Sequence, residues 1–151
     1  MIDHALSCCV STELSTEARE DLQRNLARLR EASPEFATWA TGHGVIVHDD
    51  LTQLRVHAMV RTLVDGGRLP DATTGYRRLQ AADRIASAGM WLVAHMTYAR
   101  RVRIDGTTLE AEDFKPEPEG HTGGSLNMVP AYTAYLLMNA LDGRTRSWRY
   151  G

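Results

Sequence analysis

Cysteine is almost missing from this chain: Cys8 and Cys9 are the only two, and they are neighbours. Adjacent cysteines suit neither a disulfide framework nor a metal knuckle, so both read as reduced thiols. A basic run is missing too. The 17 lysines and arginines are scattered among 19 acidic residues for a net charge of −2, which removes the electrostatic footprint that nucleic acid requires. Long apolar runs are equally scarce. Residues 5–10 are too short for a signal-peptide core and follow no basic region, and the best later window, 85–99, carries His95 and runs straight into Arg100 and Arg101. The reading is a soluble, cytoplasmic chain with neither a nucleic-acid nor a membrane partner. Six histidines are present, but none lies in an HExxH motif, and His43, His48 and His57 lack zinc-ligand spacing, so no metal site is expected among them.

What is present is helical periodicity. Ser15 can cap a helix with Ala18, Leu22, Leu26 and Leu29 on its apolar face, and Glu20 precedes Arg24 in the favourable order. Ser33-Pro34 stops that helix and starts a short segment at 36–39. A brief β-prone run around Val45 lies between His43 and His48. Asp49 or Asp50 then caps a helix with Thr52, Val56, Met59, Val60 and Leu63 on its face and His57 on or beside it, ending at Gly66-Gly67.

Residues 75–103 form one long helical pattern, with Leu79, Ala82, Ile85, Gly89, Leu92, Val93 and Met96 as its stripe. Trp91 and Tyr98 lie off that stripe, which predicts a helix covered on several sides, with His95 as a hydrogen-bonded core residue. Asp105-Gly106 makes a turn. Residues 109–119 are acidic and hold two prolines, so an extended surface connection is expected there.

The most distinctive stretch is 118–141, PEGHTGGSLNMVPAYTAYLLMNAL. Gly120, Gly123 and Gly124 permit positive φ and close approach of a ligand, Ser125 and Asn127 are capping residues, and Pro130 suits a first helical turn. A largely buried helix ending at Gly143 should follow. Its N–H groups and positive dipole end would face whatever His121 faces, which favours phosphates and developing negative charge.

GHTGG followed by a small-residue and apolar helix resembles the GHPG or GHWG loop of the transketolase and phosphoketolase group of thiamine-diphosphate enzymes. The run WATGHGVIVHDDLTQLRVH, the helix GYRRLQAADRIASAGMWLVAHM and FKPEPEGHTGGSLNMVPAY are similar to a bacterial subgroup acting on xylulose 5-phosphate, sometimes with an epimerase label. The resemblance implies that His121 is catalytic and touches the sugar, with His95 as a second substrate candidate. It also implies that Gly120, Gly123, Gly124, Ser125 and Asn127 line the cofactor. Thiamine diphosphate and magnesium would be held only in the complete enzyme. Thr122 stands where better-known relatives have proline or tryptophan.

The family's magnesium motif is Gly-Asp-Gly, whereas Asp65, Asp105 and Asp142 each lack the preceding glycine here. The last residues, 145–151, resemble the lead-in to the family's next glycine-histidine pair. The expectation is therefore an N-terminal piece of a larger enzyme: a fragment, a split gene or a truncated frame. It would be mainly α as it stands and part of an α/β domain when complete, with residues 1–74 a helical extension packed as one unit with 75–151, the start of the pyrophosphate-binding domain. Its partners would be the remainder of the enzyme or a second subunit, a sugar phosphate, and further copies of itself in a homo-oligomer. The rival expectation is a noncatalytic helical module for interaction or assembly.

Overall fold

A computed structural model describes residues 14–101, 103 and 107–140, the side chains of residues 139 and 140 excepted. The Cys8-Cys9 pair, the Asp105-Gly106 turn, the stop at Gly143 and the 145–151 lead-in lie outside the described residues. The protein is mainly helical: α1 (Thr16–Ala32), α2 (Pro34–Ala40), α3 (Asp50–Asp65), α4 (Ala72–Tyr98) and α5 (Thr122–Ala140), with a 3-10 turn at Ala111–Asp113. The chain divides into two compact units, Met1–Gln80 and Ala81–Gly151, and the division falls within α4.

In the first unit the caps fall where side-chain chemistry puts them. Ser15 accepts from the Ala18 N–H at 3.2 Å and Ser33 from the Phe36 N–H at 3.2 Å, and Pro34 occupies the first turn of α2, where no donor is lost. Asp49 accepts from the Thr52 N–H at 2.8 Å, and that bond holds its carboxyl below the usual carboxylate range. Asp71 does the same for α4 through the Thr74 N–H at 2.6 Å, which starts the helix three residues before the expected 75.

Leu22, Leu26, Phe36, Trp39, Ala40, Val60 and Tyr76 form one buried cluster. Phe36 meets Tyr76 edge-on at 5.3 Å between centroids, Trp39 stacks on His48 at 4.4 Å, and His57 Nδ1 lies 2.6 Å from the Tyr76 hydroxyl. Burial pushes the Tyr76 hydroxyl up to about 12, so it stays protonated and donates to the imidazole, whose own pKa is lowered by burial and then by Arg61. Gly75 lets α4 come close: a Cβ there would sit 3.0 Å from a Val60 methyl.

Two expectations for this unit change. The apolar face of α3 is rotated, with Gln53 and Val60 buried and Met59 exposed. Gln53 replaces an apolar residue there because it has polar work to do, accepting from Arg30 at 2.7 Å and donating to the His48 carbonyl at 2.8 Å. The run around Val45 is no strand. His43 and Ile46 exchange backbone hydrogen bonds across a tight turn, Val45 and Val47 are exposed, and Gly42 ends α2 in the left-handed region at φ 75°.

Candidate functional site

In the second unit, α4 stops at Tyr98, five residues before the expected 103, because its last carbonyls find partners in the segment that follows. The His95 carbonyl takes the Ala99 N–H, Met96 takes Lys115 Nζ at 2.9 Å, Thr97 takes the Glu119 N–H at 3.2 Å and Tyr98 takes the Lys115 N–H at 2.9 Å. All four orphan acceptors of the helix end are satisfied, one of them by a cation placed where the helix dipole favours it. Residues 109–119 are thus a fastened strap rather than a free connection. They also contain the Ala111–Asp113 turn and an antiparallel bridge between Ala99 and Phe114, neither of which was expected. Asp113 anchors the turn: it accepts from the Glu110 N–H and from Arg103, and these bonds hold its carboxyl below the ordinary range.

The strap delivers Gly120 and His121 beside the end of α4. Gly120 has φ 117°, a conformation that favours glycine, and the Thr122 hydroxyl bonds Thr97 Oγ1 at 3.2 Å. His121 is the N-cap of α5: its Nδ1 accepts from the Gly124 N–H at 3.1 Å, and its carbonyl accepts from the Ser125 N–H at 3.2 Å. An Nδ1 that accepts puts the ring N–H on Nε2 of this exposed residue. Histidine is not a usual cap, which is why capping was assigned to Ser125 and Asn127. With His121 in that role the helix begins at Thr122, so Ser125 and Asn127 sit within it as exposed residues and cap nothing.

Three further corrections follow from that start. Gly123 and Gly124 form the first helical turn and have no positive φ. Pro130 lies eight residues inside α5, where its missing N–H leaves the Leu126 carbonyl without its helical partner. The helix is not largely buried either: Val129 and Thr133 are its buried residues among those described. His95 is no core residue. It is half-buried, its ring 3.6 Å between centroids from exposed Trp91, and its Nδ1 lies 3.3 Å from the Trp91 carbonyl. It pairs with Trp91 rather than with the His121 loop.

Gly120, His121, Gly123, Gly124, Ser125 and Asn127 are all exposed, and a Cβ at Gly123 would meet nothing within 4 Å. By themselves these exposed residues do not enclose a diphosphate. Among the described residues no cluster of three or more His, Cys, Asp or Glu is placed to hold a metal ion, and no helix is long and apolar enough to cross a membrane.

Sequence reasoning missed a groove. The Ala81–Tyr98 part of α4 runs antiparallel to α5, since Thr97 meets Thr122 and Gly89 faces Val129. Between them lies an open cavity of about 770 Å³ lined by Ile85, Leu92, Met128, Tyr132 and Leu136 among others, with Ala88 and Gly89 among its small residues. Among the described residues no charged side chain lines it. Thr133 Oγ1 is buried beside this groove and has no hydrogen-bond partner among the described residues. The signal in the sequence is the set of small residues Ala81, Ala82, Ala86, Ala88 and Gly89, which let another helix approach closely. No family model, curated protein or solved structure matches the chain.

Proposed function

We propose that this chain contributes one edge of the cofactor and sugar site of a transketolase- or phosphoketolase-like enzyme acting on a ketose phosphate such as xylulose 5-phosphate. In this reading it forms part of an α/β thiamine-diphosphate domain completed by further polypeptide, in the same chain or in a second subunit. The observation that carries it is the held imidazole. Nδ1 is engaged by the Gly124 N–H, so Nε2–H would be the donor to a substrate oxygen, at a helix start whose Thr122 and Gly123 N–H groups no helical turn can satisfy. Bound thiamine diphosphate would supply the carbanion chemistry. This chain's part would be to orient the sugar and to donate or accept a proton at one hydroxyl.

The test separates capping from chemistry. Asparagine is a strong N-cap and can accept from the Gly124 N–H as the imidazole does, whereas alanine cannot. In the completed enzyme, His121→Ala should lose both turnover and about 1 kcal/mol of α5 stability, while His121→Asn should keep the stability and still lose turnover. Full turnover in His121→Asn would reduce His121 to a cap and defeat the proposal.

A second reading has its own observation. The uncharged groove and the exposed rings of α5 suit a noncatalytic helical module for assembly, and that reading would gain if His121→Ala left every activity of the complete enzyme unchanged.

A further inference from the structure

Helix α5 is an unusual surface helix. Its 19 residues include no aspartate, glutamate, lysine, arginine or histidine. Yet Met128 is 49% exposed, Tyr132 63%, Tyr135 57% and Met138 73%. A helix that is apolar around most of its circumference belongs under cover, because hydration of such a face is unfavourable along its whole length. The groove beside it poses the same demand, with small residues and, among the described residues, an uncharged lining.

We propose that a second copy of this chain supplies the cover, with α5 of each protomer lying antiparallel in the α4–α5 groove of the other about a two-fold axis. The surface is self-complementary in the way an isologous contact requires, since α5 forms one wall of the groove and also presents a ridge of Met128, Tyr132, Tyr135 and Met138. Spacings of four, three and three residues keep that ridge on one side of the helix, the pattern by which a helix anchors in a groove.

Charge favours the same occupant. Two copies of α5 bring no ionic group to be desolvated or repelled, and antiparallel helices place opposite dipole ends together. Size is adequate: 19 residues of helix span about 28 Å, and two helices side by side about 20 Å. That face is of the same order as the ~800 Å² per partner of a specific interface. This inference goes beyond the proposed activity and does not depend on thiamine diphosphate.

Sedimentation of the full chain tests it. The wild type should run as a dimer, and Tyr132→Glu with Met138→Glu should run as a monomer with an unchanged helical circular-dichroism spectrum. Both positions are exposed in the single chain, so the substitutions should leave its fold intact. With Cys8→Ser and Cys9→Ser as background, Tyr135→Cys should form a cross-linked dimer on mild oxidation, while Asn25→Cys on α1 should not. A wild type that stays monomeric, a double variant that remains dimeric, open-ended polymers in place of a closed pair, or cross-linking at 25 but not at 135 would each overturn the proposal.

Discussion

The two units of the chain spend their apolar residues in opposite ways. In Met1–Gln80 the large side chains face inward: Phe36, Trp39 and Tyr76 are nearly inaccessible, and each ring contributes roughly 4–6 kcal/mol of gross burial. In Ala81–Gly151 the described residues bury two small apolar side chains, Ala99 and Val129, beside Asp83, Ser87, Thr97, Asp113 and Thr133. Trp91, Leu92, Met96, Tyr98, Tyr132, Tyr135 and Met138 face outward instead. Apolar surface that is not spent on folding remains to be spent on association, so the first unit is built as a scaffold and the second as a surface.

Matched substitutions sharpen this contrast most. Trp39→Ala should lower the unfolding free energy by about 3–5 kcal/mol, whereas Met138→Ala, measured under conditions that keep the chain monomeric, should stay within about 0.5 kcal/mol of the wild type. Urea titrations followed by circular dichroism read both. Equal losses would erase the distinction between scaffold and surface.

Backbone freedom gives the next largest effect. A Cβ at Gly42 would lie 2.1 Å from the Ile46 carbonyl oxygen, a backbone atom, and φ there is 75°. Gly42→Ala should therefore exceed the roughly 1–2 kcal/mol of a left-handed residue alone. Gly123→Ala, in the open first turn of α5, should be neutral or stabilising by a few tenths to 1 kcal/mol. A thermal-melt comparison of the two variants checks the pair.

Next comes the hydrogen bond under the aromatic cluster. Tyr76→Phe keeps the ring contacts and strips His57 Nδ1 of its partner, which should cost about 1–3 kcal/mol by denaturant unfolding. The smallest effect is in pH. His57 is held neutral in the fold, so the unfolded chain takes up its proton first as pH falls. The stability linked to His57 is present above its ordinary value near 6.5 and is lost as pH drops through its lowered folded value. Melting midpoints from pH 7.5 down to 5 should decline, and His57→Gln should flatten that decline. An unaltered slope would show that other groups carry it.

The caps at Ser15 and Asp49 were legible because each is a local bond between a side chain and a backbone N–H three residues on. The cap at His121 was not, since histidine is not among the residues that usually fill that position. Gly120 was read correctly as a residue needing positive φ, while Gly123 and Gly124 were not, because glycines in a first turn look the same in sequence as glycines in a loop. His95 was assigned to a core on periodicity alone, and periodicity cannot tell a face covered by its own chain from one left open. The groove left only the small residues of 81–89 as a mark in the sequence, because its width arises from the distance held between two helices.

By itself the sequence determined the helical character of this protein, the starts of α1 and α3 and the inward face of α1, because helix period and capping act over three or four residues. Tertiary structure alone decided where α4 stops, which imidazole caps α5 and which apolar faces remain uncovered. Those outcomes depend on groups far apart in the chain meeting or failing to meet, and a pattern of neighbours holds no record of that.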